Sequence, residues 1–470
     1  MPTRVRYLVL ASLCAVSALV YVQRQCLANA ETVMRRELGF TVETMGFVLG
    51  AWLWTYAAFQ IPGAKLGDVW GSRRALPLYC AVWSVTTILT AFVTWVPLLV
   101  ALRFLFGAAH AGLFPCIALV IRHWMPVEKR GLSTGCVAAF QQLGAAGASQ
   151  FAGWWLAIWL ALSQPDWAAS EKMTFPPLPS WVDALSGDSL DFLKAFFDWR
   201  NLFVWAALPG LIWSAWFSWW FRDRPSEHAS VNEAELALMP RETPSSPQPP
   251  SAANPGSRGL CSLILTSPLM WLICGQQACR AFGYIFFQTW FPTFLVKTRG
   301  VSVSKSGSFT SLMFVAALLG ALAGGVFSDW LLVRTQSRRV ARQGLAILGL
   351  IGAAGFAIGA YFVESANAAV AVLACGSFCA SLAGPSGYTV AIDVAGRHTT
   401  VVFATMNMAG NLGAAAFPIL VPFLLKLPER LGASFSGWDL VLFVFGGIYL
   451  LSAVFWLGIN PNRTIESKTA

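Results

Sequence analysis

Residues 56–74, YAAFQIPGAKLGDVWGSRR, carry an apolar run into a turn marked by Lys65, Asp68, Gly71, Arg73 and Arg74. Residues 325–339, GVFSDWLLVRTQSRR, repeat the event: an apolar run ends on Asp329, and Arg334, Arg338 and Arg339 follow. A second echo pairs Gln142-Leu-Gly-Ala-Ala with Asn411-Leu-Gly-Ala-Ala. Landmarks that recur once and punctuate apolar runs point to two similar bundles of membrane-spanning helices.

Composition agrees. The 470 residues are 56% hydrophobic and 11% charged, against about 25% charged in a soluble domain. Disorder is excluded by the apolar content. A disulfide scaffold is excluded because most of the ten cysteines lie inside apolar runs. The hydrophobicity divides into twelve spans, each long enough to cross about 30 Å of hydrocarbon. They run over 5–29, 45–65, 75–95, 97–121, 131–160 and 200–221, then 263–291, 304–327, 343–363, 367–391, 399–425 and 439–459. The expected fold is an all-α membrane protein of twelve transmembrane helices in two pseudo-symmetric six-helix bundles. Residues 1–222 form the first bundle and 261–470 the second. Residues 161–199 form a polar outer insertion. Residues 223–260, which contain TPSSPQPPSAANPG, form a cytoplasmic linker that cannot pack a core.

The net charge is +10, which on a membrane protein reads as orientation rather than nucleic-acid binding. With the N terminus inside, 19 of the 32 basic residues fall in inner segments and 10 in outer ones. Both termini are therefore expected on the cytoplasmic side of a cell inner membrane. The first span resembles a signal peptide, with Arg4 and Arg6 before the apolar run and Ala28-Asn29-Ala30 after it. Arg24 within the run, and the even division into halves, favour an uncleaved span.

Three arginines remain inside the spans, Arg24, Arg103 and Arg280, with one deep histidine, His110. No acidic residue falls mid-span. An arginine at mid-bilayer costs about 2.5–3.5 kcal/mol on insertion scales. Without a buried carboxylate it needs backbone carbonyls, water or an arriving anion, and Arg grips carboxylate or phosphate in bidentate fashion. Arg24 and Arg280 lie equally far into the first helix of each half, which places them at similar depth on opposite walls of one anion site. Arg103 has two readings, a structural bond to the backbone of the first span and a substrate contact. His110 also has two, a proton carrier near neutral pH and a neutral side chain bonded to a neighbour. Tyr21, Tyr56, Gln141, Tyr284, Asn407 and Asn411 could hydrogen-bond a solute, or each other across helices. Gly- and Ala-rich stretches in spans 5, 8 and 11 suit close helix approach. No phosphate loop, metal-ligand spacing or catalytic constellation occurs, so neither an enzyme, a metal nor a cofactor is expected. Gln23 precedes Arg24.

The stretch 64–74 resembles the loop between spans 2 and 3 of the major facilitator superfamily, with Val69 and Ser72 in place of its usual basic residues. More narrowly, the chain is similar to the anion:cation symporter family, which includes bacterial sugar-acid transporters, sialin and the vesicular glutamate transporters. The matching stretches are Tyr21-Val-Gln-Arg24, Tyr56 through Gly63, Arg103 through Pro115, Trp124 through Arg130, Arg222 through His228, Cys279 through Tyr284, Trp290-Phe-Pro292 and Met406 through Gly413. The resemblance implies secondary active transport of an organic anion, such as a sugar acid, with Arg24 binding the anion. Tyr21, Tyr56, Gln141 and an Asn of span 11 would line its pocket. An Arg like Arg280 resembles the vesicular glutamate branch. Asp68 and Arg73 would bond the bundles together on the cytoplasmic side, where Asp329 also sits. Proton-coupled relatives carry acids where this chain has Gln23 and His110. Symport with H⁺ or another ion, exchange of phosphate, organophosphate or dicarboxylate, and uncoupled facilitation therefore remain open. The expected partners are a small anionic solute and the lipid bilayer, and the chain is expected to act as a monomer without nucleic acid.

Overall fold

The computed structural model describes residues 2–163, 187–239, 265–301, 303–432 and 436–465. Twelve helical spans form two bundles of six, as the sequence predicts. The first bundle comprises α1 (Val5–Leu38), α2 (Val42–Ala58) with α3 (Gln60–Trp70), α4 (Ser72–Thr90), α5 (Val96–Ala111) with α6 (Leu113–Trp124), and α7 (Arg130–Ser163). A short α8 (Asp188–Phe196) leads to α9 (Trp199–Trp220), and α10 (Glu233–Leu236) is a single turn. The second bundle comprises α11 (Pro268–Thr289) with α12 (Phe291–Arg299), α13 (Val303–Thr335), α14 (Leu345–Gly359), α15 (Ala366–Val394), α16 (Thr399–Leu431) and α17 (Gly437–Gly458).

Two of the expected spans are each broken into two helices, a third (263–291) is followed directly by a further helix, and proline explains all three breaks. Pro62, Pro115 and Pro292 have no N–H to give the carbonyl four residues back. The preceding helices end at Ala58, Ala111 and Thr289, and each proline sits in the first turn of the next helix, where its missing donor costs nothing. Several helices also outrun the hydrophobic stretch that announced them. α1 continues nine residues past the expected end at 29, carries Arg35 and Arg36 in its last turn, and stops at Gly39 in the left-handed conformation (φ 69°).

Glycine marks how each half is assembled. A Cβ on Gly144 of α7 would lie 2.4 Å from the Ala18 carbonyl oxygen of α1. A Cβ on Gly413 of α16 would lie 2.4 Å from the Ala278 carbonyl oxygen of α11. The same close approach thus occurs once in each half, between spans 5 and 1 and between spans 11 and 7.

The halves are bound together on the side that carries the N terminus and residues 223–239. Asp329 of α13 accepts from the Gly131 and Leu132 N–H groups (3.0 and 2.6 Å), capping α7 across the interface, and pairs with Arg342 at 2.9 Å. Arg130 of α7 pairs with Asp393 of α15 at 2.5 Å, and Arg122 donates to Thr399 at 2.9 Å. Asp68 accepts from the Thr400 hydroxyl at the start of α16. Arg73 departs from the expectation. Its backbone N–H meets Asp223 at 2.9 Å and its Nε meets the Ser218 carbonyl at 3.3 Å, both in its own half. Standing at the start of α4, it faces the end of α9 rather than the second bundle.

The region read as linker differs at its beginning. Glu235, fully buried, accepts from the Thr3 hydroxyl and from the Val5 and Arg6 N–H groups. An acidic side chain thereby satisfies donors at the N-terminal end of α1. His228 packs its ring on Trp124 and Trp220 at 5.8 and 5.0 Å. The Pro/Ser-rich portion lies outside the described residues, as do Asp166, Glu171 and Asp183 of the outer insertion. What is described of that insertion packs on the end of α7, with Trp155 against Phe196 and Phe197 at 5.4 and 4.9 Å.

Removing the carboxylate of Asp329 by Asp329→Ala leaves the Arg342 guanidinium without its counter-ion and two N–H groups without an acceptor. Breaking a buried pair in this way costs about 3–5 kcal/mol, so a clear drop in melting temperature in detergent is expected, and an unchanged value would contradict it. A second expectation concerns pH. Burial, reinforced by Arg222 and opposed by Glu235, lowers the His228 pKa below its ordinary 6.5. The folded segment then binds fewer protons than the unfolded one, so its stabilising contribution is complete above pH 6.5 and is lost as pH falls. Amide-exchange protection of 225–239 should decline between pH 7 and 5 and become pH-independent in His228→Phe.

Candidate functional site

Between the bundles lies a cavity of about 170 Å³. Tyr21, Arg24, Tyr56, Gln141, Arg280, Tyr284, Asn407 and Asn411 all line it. These are the eight polar positions singled out in the sequence as solute contacts. They reach it from α1, α2, α7, α11 and α16. The remaining wall is largely apolar, with Phe114, Ile117, Ile285 and Phe403 among its residues.

Arg24 projects from α1 over the face of Trp52 at 4.0 Å and near Tyr21 at 5.4 Å. Ring faces attract a cation but occupy none of its N–H donors, and Arg24 has neither a carboxylate nor a hydrogen-bond partner among the described residues. Arg280 projects from α11 on the opposite wall. Its Nε and one terminal nitrogen share Gln277 Oε1 at 3.3 and 3.2 Å, and Tyr388 lies 5.7 Å away. The other terminal nitrogen, Nη1, passes 3.5 Å from where a Cβ on Gly384 would sit. No Asp, Glu, Lys or His is among the described lining residues. The formal charge of the lining is therefore +2, set in a largely apolar wall.

By helix register the Cα positions of Arg24 and Arg280 stand about one turn apart, where equal distances along the two spans had implied the same depth. The matched contacts of Gly144 on Ala18 and Gly413 on Ala278 make Ala278 the counterpart of Ala18. By that register Arg24 corresponds to Tyr284, and Arg280 sits four residues earlier. At 1.5 Å per residue the stagger is about 6 Å, with Arg280 nearer the termini side. The span expected from 263 is helical as α11 only from Pro268.

Hydrogen bonds between the halves cross the cavity, among them that from the Thr134 hydroxyl to the Pro385 carbonyl at 3.3 Å. The Tyr284 hydroxyl donates to Gln142 Oε1 at 2.6 Å, and Asn407 Nδ2 donates to the Tyr56 hydroxyl at 2.9 Å. Asn411 Nδ2 turns back to the Asn407 carbonyl at 2.8 Å.

The other candidates stand elsewhere. His110 is buried behind the wall, among the rings of Phe106, Trp83, Trp52 and Tyr56 at 4.3, 5.0, 6.1 and 6.4 Å. Its Nε2 has no partner among the described residues. Gln23 points away from the cavity and donates to Ser84 at 3.1 Å. Arg103 is buried against Phe106 at 5.0 Å, with its Nε unpartnered. Asp68, Arg73 and Asp329 belong to the termini-side network described above. Sequence reasoning missed Thr134, Gln142, Gln277, Ser381 and Tyr388, which also line the cavity. Tyr388 obeys the rule that found Tyr284, a polar group inside an apolar span. Gln142 adjoins Gln141, and only the packed helix shows that both reach the cavity.

The sequence profile of the Major Facilitator Superfamily matches residues 13–418. The chain is 27% identical over 464 residues to a probable sulfoacetate transporter of Cupriavidus necator, covering 99% of this chain and 96% of that protein. It is 27% identical over 484 residues to a probable galactarate/D-glucarate transporter of Escherichia coli, with coverage of 99% and 96%. A D-galactonate transporter of Escherichia coli is 26% identical, with 90% of each chain covered. Among solved structures, FucP in the outward conformation superposes with a TM-score of 0.69 at 13% identity, covering 97% of this chain and 100% of that one. The proton:xylose symporter XylE superposes at 0.66, with 14% identity and coverage of 97% and 96%. Two six-helix bundles around a shared cavity, and a profile match over most of the sequence, give one conclusion: the chain is a transporter rather than an enzyme and belongs to the major facilitator superfamily, with relatives of the anion:cation symporter type.

Proposed function

We propose that the protein carries a small organic anion, a carboxylate such as a sugar acid, across the cell inner membrane by alternating access. The observation that carries this reading is the pair of guanidinium groups facing one cavity whose described lining contains no carboxylate. Arg24, with all its donors open, is the primary anchor. Arg280, half engaged by Gln277, is the second. The tyrosines, Gln141 and the two asparagines supply hydrogen bonds for solute hydroxyls. The sulfoacetate, galactarate/D-glucarate and D-galactonate transporters among its relatives support the substrate class.

The excess of Lys and Arg on the termini side supports a cytoplasmic location for both ends. On that assignment the ion pairs of Arg130, Asp329 and Asp393 seal the cytoplasmic side, and the cavity is reached from outside. Rocking of the bundles exchanges this seal for one on the opposite side. Asp68 and Asp329, in corresponding positions of the two halves, act as the latch.

The cavity also supports a second reading, exchange of doubly charged anions such as dicarboxylates, phosphate or organophosphates. Two fixed cations without a titratable acid beside them suit a dianion, and leave the cavity itself without a proton carrier. His110 stands among aromatic rings, so an imidazolium there would have only ring faces for partners. We therefore assign it no proton.

Two measurements test these assignments in proteoliposomes. Arg24→Ala should lower anion uptake roughly thirty-fold or more, the effect of removing one member of a buried charge pair. Arg24→Lys should recover little, because the ammonium lacks the bidentate fork; uptake at the normal rate in Arg24→Ala would refute the anchor. Separately, the pH profile of uptake between 6 and 8 should be the same in His110→Gln as in the parent, and a flattened profile in the variant would place a coupled proton on His110.

A further inference from the structure

A side branch of the cavity, about 10 Å³ in volume, opens behind Arg280. It is lined by Arg280, Tyr284, Ser377, Ser381 and Tyr449, with Phe287 as an apolar wall. It shares Arg280, Tyr284 and Ser381 with the main cavity, and its volume is that of about one water-sized group.

The polar atoms of the branch are not equivalent. Ser377 spends its hydroxyl hydrogen on the Met313 carbonyl at 3.0 Å, and Tyr284 spends one on Gln142 at 2.6 Å. Tyr449, only 2% exposed, has no hydrogen-bond partner among the described residues. Neither has Ser381. The glycine at 283 lets the Tyr449 hydroxyl lie this close to α11: a Cβ there would come within 2.9 Å of its oxygen. A buried phenol without a partner, held beside a guanidinium by a position that admits no side chain, is costly unless a third group completes it.

We propose that this branch is a hydroxyl subsite, and that it makes the carrier selective for anions bearing a hydroxyl on the carbon next to the carboxylate. The inference rests on the anion-carrier reading above. With a carboxylate oxygen on the open Nη1 of Arg280, the α-hydroxyl is the substituent that reaches a pocket immediately behind that guanidinium. Tyr449 donates to the hydroxyl oxygen, and the hydroxyl hydrogen goes to Ser381 or to a remaining lone pair on Ser377. An acid lacking the hydroxyl leaves Tyr449 without a solute partner. Because a water can refill a pocket of this size, the discrimination is set by the difference between a solute bond and a water bond, and falls below the values reached in sealed enzyme sites.

The test uses the purified full-length protein and two matched pairs, D-gluconate with 2-deoxy-D-gluconate and glycolate with acetate. Binding of each is measured calorimetrically in the parent, in Tyr449→Phe, in Ser381→Ala and in Arg24→Ala. The expected result is a preference of about ten-fold for the hydroxy acid in the parent, the margin of a solute bond over the water bond that replaces it, falling below about two-fold in Tyr449→Phe. Ser381→Ala, which keeps the Cβ that stands close to Gly320 of α13, should show the same direction. Equal affinity for both members of a pair in the parent overturns the subsite while leaving the anion reading intact. A preference that survives both substitutions also overturns it. If no member of either pair binds in an Arg24-dependent manner, the anion reading falls and the subsite with it.

Discussion

A guanidinium group held at mid-membrane without a carboxylate to meet it is the constraint on which this architecture turns. Removing such a charge from water is unfavourable at every depth in the hydrocarbon, and the protein supplies partial compensation only. Arg24 receives the faces of Trp52 and Tyr21. Arg280 receives one amide oxygen from its own helix. Neither arrangement saturates the planar fork, and both groups face the same cavity. The protein thus keeps a positive potential in a largely apolar enclosure, where a small anion interacts more strongly than it would in bulk water.

The halves face that charge from the two sides of one cavity. Their joining contacts are of two kinds. On the termini side the bonds are charge-assisted and buried, with Asp329 capping a helix of the other half and Arg130 paired with Asp393. At the level of the cavity the joining bonds are neutral, Tyr284 to Gln142 and Asn407 to Tyr56. Neutral hydrogen bonds contribute about 0.5–1.5 kcal/mol net, roughly half what those to charged groups contribute. A solute hydroxyl competes with the former far more easily than with the latter. The strength gradient from seal to cavity follows from which residue types stand at each level.

Much of this was legible in the residues before any coordinates. Hydrocarbon drives the backbone polar groups of these spans into helices, so apolar runs of sufficient length declare the spans, whereas proline alone does not declare the breaks, since Pro77, Pro209 and Pro385 sit inside unbroken helices. The same medium makes an interior charge expensive enough to be conspicuous, which is why Arg24 and Arg280 stood out against hundreds of apolar neighbours. The polar positions on their faces followed from helical spacing.

What a one-dimensional pattern cannot carry is rotation and register between helices. Equal distances from the starts of two spans implied level arginines, whereas the backbone contacts at Gly144 and Gly413 set the register of α1 and α11 and displace one by a turn. Arg73 lies five residues after Asp68, yet reaches its own half while Asp68 reaches the other, because the chain reverses at Gly71 between them. His110 has the polarity of a cavity residue but is turned into a ring cluster. Tyr449 carries no charge and no motif, and only the packing of α17 on α11 brings its hydroxyl behind Arg280. The sequence by itself determined which groups the membrane would find costly to bury, because that cost belongs to the side chain and its depth. Which of them share a cavity was decided by tertiary structure, because close packing between helices sets the direction in which each side chain points.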